Sequence, residues 1–258
     1  MNPFMINRFG LCAVLLTVFS LHTNAQATGS AVDLGLSVYW ASCNVGANEP
    51  EGIGGYYAWG ETEEKDRYSD NYAYCYSETS FIDIGADISG TQYDVARVKW
   101  EGSWRMPTIE EVKELINNCS WTWTTQNGVN GVLVTGPNSN SIFLPAGGRK
   151  YGTKGLRDFG EYGCYWSSSL DSFDGTSAYA KLLLFFEDGQ DWNDDRNRFN
   201  GMLIRPVTND PTGIRSIINN EEPIKSIYNL SGQRLNSPQK GVNIINGKKV
   251  NRPGDGSE

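Results

Sequence analysis

The chain holds a single histidine, His22, in 258 residues, and that histidine sits in a segment that reads as removable. Residues 1–10 carry one positive charge, Arg8; the apolar run 11–21 follows, then the small and polar residues 22–27. A charged start, a short apolar core and a small-residue end make up the pattern that signal peptidase reads, and the run is too short to anchor in a bilayer. Cleavage is expected after Ala25 or Ala27. The alternative, a buried N-terminal helix, lacks the periodicity a helix face needs. Once the segment is removed, no imidazole is left. Ser-His-Asp and Cys-His nucleophile systems then drop out, as does histidine-ligated zinc or copper, because each needs one.

The sequence also lacks a basic stretch. Its formal charge is −8, and losing Arg8 makes it more acidic still. Nucleic acid and anionic membrane surfaces draw their affinity from clustered Lys and Arg, so nucleic acid is excluded as a partner. No segment after residue 27 is long and apolar enough for a transmembrane helix. No C-x-x-C pair occurs, which removes the usual zinc and redox spacings. Cys12 lies in the removable segment behind the bulky Leu11, a poor context for a lipid anchor. The four cysteines that remain are Cys43, Cys75, Cys119 and Cys164. An even count in an oxidising compartment permits disulfides in pairings that sequence cannot separate; Cys43 and Cys119 are candidates, and free buried thiols are the alternative.

What is abundant is Gly, Asn, Ser and aromatic residues, the composition of short strands joined by turns. Strands are expected over 34–41 and 55–59, with a charged loop over 61–70. Thr108 and Glu111 have capping-box spacing, and Ile109, Val112, Leu115 and Ile116 recur on one helical face; Glu110, Lys113 and Glu114 fall on the solvated one. A shorter helix is expected over 94–100 with Val95 and Val98 inward. A meander follows: strands at 121–125, 131–135 and 141–144, reversed at Asn127-Gly128 and Gly136-Pro137-Asn138. Further strands are expected at 164–169, 178–186 and 202–207. The 178–186 stretch is apolar at nearly every position and reads as a central strand. The fold class is α+β, two helices flanking twisted antiparallel sheets. A polar linker over 208–222 leads to a short β-rich tail, 223–250.

Three blocks resemble a family of bacterial surface and secreted modules, FISUMP, which is close to the DUF1566 group and to C-type-lectin-like folds. They are residues 32–47, beginning Val32-Asp33-Leu34-Gly35-Leu36; Trp104-Arg105-Met106-Pro107-Thr108; and Tyr165-Trp166-Ser167-Ser168-Ser169 followed by Asn200-Gly201-Met202-Leu203-Ile204-Arg205-Pro206-Val207. The resemblance spans residues 30–207 and implies a C-type-lectin-like fold rather than a reaction. The Trp104 to Thr108 string also resembles formylglycine-generating oxidases, which need two copper-binding cysteines late in the domain. Cys164 stands alone there, so that chemistry fails on residues. The tail, with Ile224-Lys225-Ser226-Ile227-Tyr228-Asn229-Leu230 and Gly247-Lys248-Lys249-Val250, resembles a type IX secretion sorting domain. It departs from the pattern by continuing through residues 251–258. The resemblance implies secretion machinery as a partner.

Among candidate sites, Trp192-Asn193-Asp194 resembles the motif with which C-type lectins hold calcium, making Asn193, Asp194 and Asp195 speculative metal ligands. Calcium takes roughly six to eight oxygens, and no Glu-Pro-Asn-like partner string lies between residues 145 and 190. A solvated acidic turn is the plainer interpretation. Arg149, Lys150, Lys154 and Arg157 form the one basic cluster, within the glycine-rich stretch 147–160, a place for contact with sulfated or acidic glycans. Eight tryptophans and thirteen tyrosines could offer sugar-stacking faces; Trp40, Trp59, Trp104 and Trp166 read as core, and Trp192 as the one for ligand contact. Arg205 reads as paired with an internal carboxylate. Thirty Asp and Glu residues without an anchoring motif give no support to carboxylate catalysis. Taken together, the residues suggest a non-catalytic module, secreted or on the outer cell surface, that binds an extracellular glycan or matrix component. A structural or assembly protein with a surface-protein partner is the alternative, then a carboxylate hydrolase. Beyond calcium, no cofactor is implied.

Overall fold

Asp94 and Thr108 each supply what a helix N-terminus lacks, an acceptor for unpaired backbone N–H groups. Asp94 Oδ1 accepts from Ala96 and Arg97 at 2.9 and 3.1 Å and starts α1 (Val95–Lys99). Its Oδ2 accepts from the backbone N–H groups of Gly90 and Met106 at 2.8 Å each, so one buried carboxylate ties the helix to two loops. Thr108 and Glu111 form the expected reciprocal capping box at the start of α2 (Ile109–Asn118). These elements belong to a computed structural model that describes residues 29–210, apart from 70, 78, 79, 101, 154 and 172–176, and the strand backbones 227–228, 234–235, 241–245 and 248–252. The signal segment, its cleavage site at Ala25 and residues 211–222 of the expected linker lie outside the described residues.

Both helices differ in detail from expectation. Val112 and Leu115 of α2 are buried, with Ile109 and Ile116 packed beside them. The opposite face is less solvated than its charges suggest. Glu114 accepts from the Ser37 backbone N–H at 2.9 Å and from its hydroxyl, and Lys113 Nζ lies 4.3 Å from the centre of the Trp192 ring. In α1, Val95 and Ala96 are buried but Val98 is 50% exposed. The buried face centres between residues 95 and 96, about 110° around the helix from Val98.

The strands in chain order are β1 (Ala31–Val32), β2 (Tyr39–Ala41), β3 (Cys75–Ser77), β4 (Ser80–Phe81), β5 (Ser120–Gln126), β6 (Val129–Thr135), β7 (Ser141–Pro145), β8 (Arg149–Lys150) and β9 (Leu156–Arg157). They continue with β10 (Gly163–Asp171), β11 (Tyr179–Phe186), β12 (Gly189–Asp191), β13 (Asp195–Asn197), β14 (Val207–Thr208), β15 (Ile227–Tyr228), β16 (Arg234–Leu235), β17 (Gly241–Ile245) and β18 (Lys248–Arg252). All paired strands are antiparallel. The α+β class and the β5-β6-β7 meander appear as expected, with Asn127 and Gly128 both at positive φ in the first reversal. Strand β11 is central, pairing with β10 on one side and with β12 and β13 on the other.

Three expected strands are shorter or absent. Residues 34–38 turn instead of extending, because Gly35 takes φ +75° and donates its N–H to Asp33 Oδ1 at 2.7 Å. Over 55–59 only a single bridge forms, Tyr57 to Met202. Over 202–207 only Val207 belongs to a strand; Pro206 cannot donate to a ladder, and Arg205 turns inward. Even so, these residues close the domain, since the sheet order β1-β2-β14 sets its first strands against its last.

The family-like strings explain themselves as a structural hub. Trp104 packs edge-on to Trp100 at 5.3 Å, Arg105 forks onto Glu111 at 2.8 and 2.6 Å, and Pro107 O accepts from Ser168 N–H at 2.8 Å. Trp40, Trp59, Trp104 and Trp166 are buried, as their sequence context suggested. Among the described residues Arg205 has no carboxylate partner. Its guanidinium donates to Asn44 Oδ1, Ala41 O and Phe143 O at 2.8 to 2.9 Å, and burial pulls its pKa below the ordinary arginine value. The tail strands form a separate sheet in the order β16-β15-β17-β18, and Asn251 and Arg252, past the family pattern, extend its last strand.

Candidate functional site

The glycine-rich stretch folds as a hairpin. Strands β8 and β9 pair with Arg149 directly opposite Arg157 and Lys150 opposite Leu156. Like charges set opposite each other destabilise a ladder, so this pairing carries a local cost. Asp158 offsets part of it, at 3.3 Å from Arg149 Nε. The approach requires Gly148, which holds φ +62°; a Cβ there would lie 2.0 Å from the carbonyl oxygen of Arg157.

The expected basic cluster divides along the strand alternation. Arg149 and Arg157 face a cleft of about 370 Å³. Lys150 does not; its ammonium lies 4.8 Å from the centre of the Tyr56 ring. Lys154 lies outside the described residues. From the other side the cleft is closed by Tyr179 of β11, by Asp195, Arg196 and Asn197 of β13, and by Asn200, with Tyr151 at the hairpin turn. A second cavity of about 280 Å³ shares Arg149 and Arg196 and is backed by Tyr162, Cys164 and Leu184.

The electrostatics of the cleft are uneven. Arg149 and Arg196 are ion-paired, to Asp158 and Asp194. Arg157 is exposed and has no carboxylate partner among the described residues; its guanidinium lies 5.7 Å from the Tyr151 ring centre. Asp195 lies on the cleft wall, and burial first, then its hydrogen-bonded neighbour Asp171, push its carboxyl above the usual aspartate range. Asp171 is itself paired with Lys181 at 3.0 Å. Asn200 is 3% exposed, and its side-chain oxygen accepts no hydrogen bond from the described residues.

The hairpin is also where apolar side chains reach solvent. Tyr151, Leu156, Phe159 and Tyr162 are four of the five large hydrophobic residues that are exposed in the described structure, Phe159 the most at 52%.

The speculative calcium ligands do not assemble. Asp194 is bound to Arg196 and accepts from the Asp195 N–H at 2.9 Å, Asp195 turns to Asp171, and Asn193 donates its N–H to Asp191 Oδ1 at 2.7 Å. Among the described residues no group of metal-ligating side chains converges. Trp192 is half-buried and capped by Lys113 rather than open. Cys43 and Cys119 are not joined: all four described cysteines are free thiols, and these two pack in different core clusters. Burial pushes the Cys164 thiol up to about 12, so it is inert at neutral pH.

Sequence reasoning found Arg149 and Arg157 but missed Tyr151, Tyr179, Arg196, Asn197 and Asn200. Arg196 was masked by the acidic string before it, and Asn200 stood in a block whose evident role was structural. No protein family, no curated protein and no solved structure matches this chain.

Proposed function

We propose that this chain is an exported, non-catalytic surface module with a C-type-lectin-like fold that binds an extracellular glycan or matrix component through the 149–162 hairpin and its cleft. The observation that carries this reading is the concentration of exposed Tyr151, Leu156, Phe159 and Tyr162 beside the arginine-lined cleft. Aromatic faces next to hydrogen-bonding guanidiniums are what sugar rings need, apolar contact on one side and polar contact at the edge. The signal-like segment 1–25 and the sorting-like tail 223–250 support export by the type IX route. The Asp171 and Asp195 carboxyls at the cleft wall do not make a glycosidase pair, because they hydrogen-bond to each other, closer than the roughly 5 to 9.5 Å that paired glycosidase carboxyls keep.

On a glycan array, retention insensitive to chelator is expected, since Asp194 is committed to Arg196. Failure to retain any glycan would remove this reading. Leu156 and Phe159 are exposed without a polar handle, which favours the second reading, a surface-assembly protein. Co-purification with envelope proteins and no glycan retention would establish it.

A further inference from the structure

Resting on that reading, we propose that the groove between the β8-β9 hairpin and β13 holds a neutral, linear oligosaccharide, with one sugar unit against Tyr151 and the next against Tyr162. The ion pairs between the two tyrosines would meet its hydroxyls.

The two cavities beside the hairpin, about 370 and 280 Å³, both take Arg149 and Arg196 into their walls, so they meet at that pair of guanidiniums. Each stands at or below the lower end of complete ligand pockets, roughly 300 to 1,000 Å³, and a ligand that fills both has to be elongated. Each cavity also has one exposed tyrosine braced by a phenylalanine. Tyr151, in the larger, lies 6.1 Å from Phe199, and Tyr162, in the smaller, 5.5 Å from Phe186, ring centre to ring centre. At 45% and 37% exposure both rings keep open surface. A braced ring offers a sugar apolar contact with little side-chain freedom left to lose. Two such platforms along one groove suit a chain of repeating rings.

Charge balance makes the ligand neutral. Arg149, Arg157, Arg196 and Lys181 stand with Asp158, Asp194, Asp171 and Asp195 around the groove, four cations and four acids. Equal numbers leave no net charge to draw an anion or a cation. What the pairs offer is donors and acceptors side by side: Arg149 Nε lies 3.3 Å from Asp158 Oδ2, and Arg196 is bonded to Asp194. A guanidinium has five N–H donors, more than one acid takes up, and a sugar hydroxyl donates and accepts at once. Neighbouring hydroxyls can therefore bond to both members of an ion pair and leave every charge matched. A uronate or a sulfate would bring a charge with no counterpart.

The test is an array of neutral hexose chains, from single units to tetramers in several linkages, each beside its uronate and sulfated counterparts. Calorimetric titration of the full chain then compares the best-retained neutral chain with its single unit. Neutral chains of at least two units should be retained best and should bind about tenfold or more tighter than the single unit. Their affinity should stay unchanged from about 0.05 to 0.5 M salt, because the ligand brings no charge to screen. Tyr162→Ala should remove the gain from the second unit while leaving single-unit affinity in place, and Tyr162→Phe should keep that gain. Single units bound as tightly as chains, a preference for uronate or sulfated chains, salt-sensitive affinity, or a Tyr162→Ala variant with the chain-length gain intact overturns the neutral two-unit groove and leaves glycan binding standing. An empty array removes glycan binding itself, and the groove's ligand with it.

Discussion

The interior arginines and the cleft arginines carry the same group under opposite conditions. Arg205 and Arg198 are each 1% exposed, and neither has a carboxylate partner among the described residues. Arg205 is held by two main-chain carbonyls and the Asn44 amide; Arg198 is held by Tyr72 Oη and the carbonyls of Ile82 and Ser177, and it stacks 4.8 Å from the Trp59 ring centre. A charge buried that way is costly to place, and once placed it organises every carbonyl around it. In the cleft, by contrast, acids stand next to Arg149 and Arg196, while Arg157 is left open. Buried guanidiniums here join segments far apart in the chain; of the cleft ones, two are held by neighbouring acids and only Arg157 stands without one among the described residues.

Substitutions can break this contrast. Arg205→Met should be the most damaging, costing about 3 kcal/mol, because it strands Asn44 Oδ1 and the carbonyls of Ala41 and Phe143. Urea denaturation would measure it, and a loss below about 1 kcal/mol would show that the interior arginine is no linchpin. Gly148→Ala should come next, at about 2 kcal/mol, since its new Cβ meets the Arg157 carbonyl and its φ disfavours any side chain. Glycan retention should fall with it, as the hairpin that aligns Arg149 and Arg157 is displaced. Retained binding would mean the arginine pairing is not what shapes the site.

The smallest effect is expected at Arg105, which stands between the two classes, partly buried and forked onto Glu111. Burial works against the Glu111 anion, but the Arg105 hydrogen bonds and the Thr108 N–H outweigh it and hold the carboxyl below the ordinary range. A carboxyl depressed in the folded state stabilises above its unfolded pKa, about 4.3, and that stability is lost as pH falls through the folded value. Glu111→Gln should therefore cost about 1 kcal/mol at neutral pH and make the acid side of the stability profile shallower. Melting temperatures from pH 7 down to about 3 would show it; parallel profiles would sink the assignment.

Local signals carried much of the secondary structure. The capping box at Thr108 and Glu111, the Asn127-Gly128 reversal and the apolar run through β11 are each determined by a few neighbouring residues, and each formed where the sequence placed it. The failures at 34–38, 55–59 and 202–206 share a cause. Their apolar residues are buried by irregular chain that bonds to distant segments, as Tyr57 does to Met202 and Ala41 N–H to Pro206 O at 2.9 Å. Apolar alternation reports burial, and burial does not require a strand.

The candidate site divides the same way. The sequence alone determined that a basic, glycine-rich loop lies in the second half of the chain, because Arg149, Arg157 and the glycines are neighbours there; that the loop folds as a hairpin came from the structure. It also determined that no imidazole remains in residues 26–258. Only the tertiary structure decided that Arg149 and Arg157 share a face while Lys150 does not, that Asp194 is taken by Arg196, and that the buried Asn200 comes to the same cleft wall. Strand pairing sets which side chains converge, and pairing brings β13 onto β11 across a chain separation over which local propensity carries no information.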